Sequence, residues 1–233
     1  MDGIKLLDGF KKIAPDIYSV LDNYEGAAYD NKAVLYEKLV SKKIYNKIIW
    51  GTSPEDYKKF AEKAINSSGG TLIDAGCGGL IQTSEIYLRA KDHCVLVDNS
   101  SEMLKIAKGR LTKQDEKLSQ HIHLLQADVF NLPFPDQVFD TVCSFGMIHL
   151  FDKKQEFVNE TLRTLKSGGS FYYSTMTTKR PISKFYMGLL RKNNEFGELF
   201  SKEQTLSLFS DRNLSIVCYL KGSMLFIEGK KKG

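Results

Sequence analysis

Short apolar runs alternate along the chain with longer segments in which apolar residues return every three or four positions. Five runs, at 72–75, 94–97, 122–125, 141–144 and 170–174, are continuous and rich in apolar or β-branched residues. Runs of that kind suit strands covered on both faces, and so predict a mainly parallel sheet. The segments between them have readable ends. Ser53 ahead of Pro54, Glu55 and Asp56 predicts a capped helix start. Behind it Tyr57, Phe60, Ala61, Ala64 and Ile65 form one apolar face, and Gly69 and Gly70 end the segment. Asp152 with Gln155 reads as a capping-box variant, with Val158, Leu162 and Leu165 on one face and Gly168 and Gly169 as the stop. Ser201 with Gln204 opens a further helix. After that the pattern changes. Residues 214–220 and 224–227 are joined only by Lys221, Gly222 and Ser223, too short a link for a crossover helix, which predicts an antiparallel hairpin.

Together these elements predict an α/β three-layer sandwich: a mainly parallel seven-stranded sheet ending in an antiparallel hairpin, with helices on both faces. The 233 residues suit one domain. Its core is expected over 67–233, with 176–200 as an insertion, and 1–66 as a helical cap plus the first core helix.

Composition narrows the function classes. No run approaches the roughly 20 apolar residues that span a bilayer. Residues 1–10 carry Asp2, Lys5 and Asp8 and no apolar h-region, so no signal peptide is read there and a cytoplasmic protein is expected. Cys77, Cys94, Cys143 and Cys218 form no Cys-x-x-Cys pair, which gives a metal site no local support. The net charge of +5 reads as scattered lysines, with Lys230 to Lys232 as a solvated tail; without a basic stripe, no nucleic-acid partner is expected.

The chemistry is concentrated at 71–79, where Asp74, Ala75, Gly76, Cys77 and Gly78 place a glycine-rich turn directly after a buried strand. Such a turn takes conformations costly for a residue with a Cβ, and lets a ligand touch the backbone. Asp98 ends the next strand 20 residues beyond Gly78, where a carboxylate can accept both ribose hydroxyls of an adenosine cofactor.

Asp-Ala-Gly-Cys-Gly resembles the first motif of class I, Rossmann-like S-adenosylmethionine-dependent methyltransferases. The resemblance continues in order through 97–104, 126–129, 132–140, 143–150 and 165–169, and at 45–51 loosely resembles quinone-biosynthesis methyltransferases. It implies S-adenosylmethionine as cofactor. Asp74 would serve its cationic methionine end, Asp98 the ribose, Asn99 the ribose or adenine edge and Met103 the adenine face. Asp128 would accept the adenine amino group and the Val129 N–H would reach a ring nitrogen, with Ala127, Ser144 and Phe145 also at the cofactor. Asp140 is expected to be structural. Relatives often carry glycine where Leu80 stands, a departure that affects how the first helix begins.

The resemblance implies methyl transfer to a small molecule, since no Asn-Pro-Pro-Tyr or Pro-Cys follows the fourth strand. His149 is the candidate general base, with simple packing as the other reading. Acceptor walls are expected from the aromatic-rich 24–50, with Tyr24, Tyr29, Tyr36, Tyr45 and Trp50, and from Phe185, Tyr186, Phe196 and Phe200. Two alternatives stay open: a non-catalytic S-adenosylmethionine-binding protein, and a nicotinamide-dependent oxidoreductase. The second needs a glycine at 81, where Ile81 stands.

Overall fold

A computed structural model describes residues 7–21, 43–112, 117–210 and 213–233. Tyr24, Tyr29 and Tyr36 lie outside the described residues. Among the described residues nine strands form one sheet: β1 (Lys11–Ala14), β2 (Ile17–Ser19), β3 (Leu72–Ala75), β4 (Cys94–Asp98), β5 (Ile122–Gln126), β6 (Phe139–Phe145), β7 (Leu165–Met176), β8 (Leu214–Lys221) and β9 (Met224–Lys231). Their order is β1-β2-β5-β4-β3-β6-β7-β9-β8. From β2 to β7 neighbouring strands run parallel, whereas β1 and the β8–β9 hairpin are antiparallel.

The expected seven strands are therefore nine, because β1 and β2 extend the sheet beyond β5, with Ile17 opposite Leu124. This pair escapes a periodicity reading for a physical reason. β1 is an exposed edge carrying Lys11 and Lys12, and β2 is only three residues long. Both are shorter or more polar than a buried strand.

Alternation along the strands sends side chains into two layers. Ile73, Val95, Val97, Val142 and Phe171 pack with Phe157, Val158 and Leu162 from α4 (Lys154–Arg163). Leu72, Leu96, Leu124 and Cys143 pack on the other face. There they meet α1 (Pro54–Asn66), α2 (Ser84–Leu88) and α3 (Ser101–Leu111) through Phe60, Tyr87 and Leu104. Cys94 and Cys143 are buried free thiols in this layer.

Helix starts follow local chemistry. At α1 the Ser53 hydroxyl accepts from the Asp56 N–H while the Asp56 carboxylate accepts from the Ser53 N–H, closing a capping box ahead of Pro54. Ser201 and Gln204 do the same for α6 (Lys202–Ser207). At α4 the expected Asp152 cap is absent; the helix begins at Lys154, and the Asp152 carboxylate accepts from the Glu198 N–H instead. Gly168 and Gly169 fall inside β7 rather than in a loop after the helix. The region 176–200 contains α5 (Pro181–Lys192).

Candidate active site

The chain leaves β3 for β4 and β5 on one side of the sheet, and later for β6 and β7 on the other. Loops at the carboxyl ends of β3 and β6 diverge at that reversal and leave a crevice, the usual ligand position in an open parallel sheet. A cavity of about 470 Å3 occupies it, within the range of small-molecule sites.

Its floor is the turn after β3. The N–H groups of Gly76 and Cys77 both donate to the Val97 carbonyl at 2.8 and 2.9 Å, tying the turn to β4. The Gly78 N–H donates to Asp98 Oδ2 at 2.8 Å. Gly76 has φ +83°, and a Cβ there would lie 2.5 Å from the Met147 side chain. Leu80 is buried at φ +59°, so the position where relatives carry glycine adopts a backbone that favours glycine. Arg110 of α3 donates to the Gly79 carbonyl and fastens the turn from the other side.

Asp98 is buried with a thin exposed edge on the cavity. Besides the bond from Gly78, its Oδ1 accepts from the Ser100 N–H at 2.9 Å, and the Ser100 hydroxyl caps α3 by accepting from Met103 N–H at 3.1 Å. The carboxylate thus fixes turn and helix together at the cavity. Gln126 donates to the Asn99 carbonyl at 2.9 Å. Asp128 accepts from the Phe130 N–H at 2.9 Å, which presents Asp128 and Val129 at the same rim.

The structure brings Gly76, Cys77, Gly78, Asp98, Asn99, Met103, Asp128, Val129, Phe145 and His149 to this cavity, and leaves Asp74, Ala75, Ala127 and Ser144 behind its wall. Alternation along β3 puts Asp74 on the side of Leu72, where its Oδ2 accepts from the Tyr87 hydroxyl at 2.7 Å and its Oδ1 is buried without a partner. Burial pushes the Asp74 carboxyl up to about 7. Ser144 and Ala75 engage each other, the hydroxyl donating to the Ala75 carbonyl at 2.8 Å. Ala127 packs in the α4 layer. Asp140 braces the sheet, accepting from Thr71 N–H and Lys166 Nζ at 2.9 and 2.7 Å.

Tyr57, Met147, Met176 and Met224 also line the cavity, with Met147 against the glycine turn. His149 is 4% exposed and sits 4.6 Å from the Phe196 ring. Its Nδ1 lies 3.3 Å from the Met176 N–H and 3.2 Å from the Thr175 hydroxyl. Burial, then the nearby Lys154 charge, pulls His149 down to about 3, so the ring is neutral near pH 7. A backbone N–H can only donate. Nδ1 is therefore the acceptor, and the hydrogen-bond pattern assigns the ring proton to Nε2. Phe185, expected in the acceptor wall, is 70% exposed instead. Tyr45, Trp50, Tyr186 and Phe196 form an aromatic cluster under the cavity rim. Asn46, Asn194 and Glu195 also line the cavity, and no motif or periodic pattern marks them.

A family model described as a methyltransferase domain matches residues 73–173, the segment that builds this turn and both flanking rims. Residues 73–173 thus match a methyltransferase domain, in line with the resemblance carried by the motifs in that segment. Among relatives of this domain, the ubiquinone/menaquinone biosynthesis C-methyltransferase UbiE of Pseudomonas putida is 31% identical over 149 residues, covering 61% of this chain. The match spans 57% of that enzyme's length. Among solved structures, the [4+2]-cyclase SpnF superposes with a TM-score of 0.69 at 15% identity, over 89% of this chain and 94% of its own. A geranyl diphosphate methyltransferase bound to GPP and sinefungin gives 0.59 at 14% identity, over 77% and 78%. Both share the fold. The methyltransferase cofactor is S-adenosylmethionine. The cradle suits it: a Cβ on Gly78 would meet nothing within 4 Å, and the carboxylate of Asp98 faces the same space beside Met103.

Proposed function

We propose that this chain transfers the methyl group of S-adenosylmethionine to a small, mainly apolar acceptor by in-line displacement. One observation carries the reading. A single cavity is lined both by the glycine turn with Asp98 and by the apolar side chains of Phe145, Met147, Met176 and Met224. Asp98 would accept from the ribose hydroxyls, Asn99 and Met103 would flank ribose and adenine, and Asp128 with the Val129 N–H would read the adenine edge. Asp74 would act one step removed, by holding the strand end and Tyr87 beneath the turn.

The sulfonium cofactor supplies an already activated methyl carbon, so the protein's task is alignment and exclusion of water. The apolar wall serves that task. His149 offers a donor at Nε2 rather than a base, because its free lone pair is committed to the Met176 N–H. A donor there would hold an acceptor oxygen that enters already ionised, its proton lost to water; that charge is consumed as the conjugated carbon takes the methyl group from sulfur, and a ring carbon then gives its proton to water. The C-methyltransferase relatives favour a carbon nucleophile activated by such an oxygen, as in a phenol or enol.

The test is acceptor-dependent formation of S-adenosylhomocysteine across phenolic, enolic, amine and thiol acceptors. Saturable product with the oxygen-activated carbon acceptors is expected. Cofactor binding with no turnover on any of them would instead favour a non-catalytic binding protein.

A further inference from the structure

Among the described residues nine large apolar side chains are exposed, and five of them stand on two elements that pack against each other. Ile44 and Ile48 belong to the helical turn Lys43–Tyr45 and its π-helical continuation Asn46–Trp50. Ile182, Phe185 and Leu189 share one face of α5. The joint between the elements is firm. Arg180 donates to the Ile48 carbonyl at 3.0 Å, Ser183 donates to the Ile49 carbonyl at 2.6 Å, and the Tyr45 and Tyr186 rings meet at 6.0 Å. Ile182 and Leu189 stand four before and three after Tyr186, so they flank that meeting point.

Charge follows the same map. Residues 43–50 and 177–192 hold Lys43, Lys47, Lys179, Arg180, Lys184, Arg191 and Lys192 and no acid. The remaining 209 residues carry 26 cations against 28 acids. The fold brings these two cationic segments together. Lys43 is paired with Glu55, Arg180 is spent on backbone carbonyls and Lys179 lies near Glu203, which leaves Lys47 on the turn and Lys184, Arg191 and Lys192 on α5 with the apolar residues.

We propose that this face docks on an anionic lipid surface, with Phe185, Ile182, Leu189, Ile44 and Ile48 entering the headgroup boundary and the lysines meeting lipid phosphates. Exposed apolar side chains sharing a helix with cations and no acid are the signature of an interfacial helix. A nucleic-acid face would be polar and charged, without five aliphatic and aromatic side chains at its centre. The docked face adjoins the cavity, since Asn46 lines it from the π-helical turn and Met176 and Asn194 line it from just outside either end of α5. A lipophilic acceptor could then enter from the bilayer. That consequence rests on the methyl-transfer reading, while the docking does not.

The experiment is co-sedimentation of the full chain with phosphatidylcholine vesicles, with and without phosphatidylglycerol, and with single-stranded RNA as competitor. Binding is expected only with phosphatidylglycerol. Phe185→Glu should weaken it roughly tenfold or more, and Lys184→Glu and Lys192→Glu about fivefold per cation removed. Phe185 is solvent-exposed, so the variant should bind S-adenosylhomocysteine as the parent does. Failure to bind anionic vesicles overturns the docking and leaves methyl transfer standing. RNA binding lost in the lysine variants, without vesicle binding, overturns it in favour of a nucleic-acid face. Vesicle binding that survives Phe185→Glu together with both lysine changes also overturns it.

Discussion

His149 shows how a single side chain can look like a base in sequence and have its lone pair committed in the fold. A histidine after the fourth parallel strand suggests proton abstraction, but the Met176 N–H occupies Nδ1, and burial keeps the ring neutral down to about pH 3. The kcat/KM profile of the chain should therefore lack a limb near 6.5 that disappears in His149→Gln. Such a limb, lost on substitution, would restore the base. Leu80 carries a second residue-scale lesson. Its positive φ is strained for a side chain, yet that side chain is buried. Leu80→Gly relieves roughly 1 kcal/mol of strain and forfeits roughly 2–3 kcal/mol of burial. Urea unfolding should show a net loss of about 1–2 kcal/mol; a gain would mean that strain dominates at this turn. The departure from the family's glycine was legible in the sequence. That the backbone would take a positive φ around leucine was not, because φ is decided by the ties of the turn to β4 and α3.

At the scale of elements, the cap and strand signals that depend on neighbouring residues were readable, and those that depend on distant ones were not. The Ser53 and Ser201 capping boxes form as their spacing implies. Ser53→Ala should cost about 1 kcal/mol in urea unfolding, and a change under a few tenths would show that α1 is held by Phe60 and Ala64 alone. Asp152 has the same local spacing to Gln155, yet its carboxylate is taken by the Glu198 N–H from across the fold. Asp74 follows the same logic. The motif spacing marks it, but strand alternation turns it onto Tyr87 and away from the cavity. Its carboxyl titrates near 7 when folded against an ordinary 3.8, so the stability it contributes is complete below 3.8 and is lost as pH rises through 7. Asp74→Asn keeps an acceptor for the Tyr87 hydroxyl and removes that loss. Its unfolding midpoint should exceed the parent's at pH 8, by on the order of 3 kcal/mol or less in stability, and converge with it near pH 4. Parallel curves for the two proteins would contradict a buried, raised carboxyl.

For the molecule as a whole, the parallel order, the closing hairpin and the glycine turn were carried by short-range patterns. The β1–β2 extension and the gathered charge were not. β1 and β2 are too short and polar to announce themselves, and cations from 43–50 and 177–192 meet only because Arg180 and Ser183 bind the turn before Gly51. The site was readable where its residues sit at strand ends, as with Asp98 and Asp128. It was unreadable at Asn46, Asn194 and Glu195, which reach the cavity by tertiary placement alone. All of this converges on a cofactor cradle fixed by Asp98, which holds both Gly78 and Ser100 and faces the cavity. The most direct measurement is calorimetric titration with S-adenosylhomocysteine, with NAD and NADP as controls, on the parent and on Asp98→Ala. Binding of S-adenosylhomocysteine alone is predicted, weakened about tenfold or more by the substitution as charge-assisted hydrogen bonds are lost. Binding of NAD or NADP with none of S-adenosylhomocysteine would contradict the account.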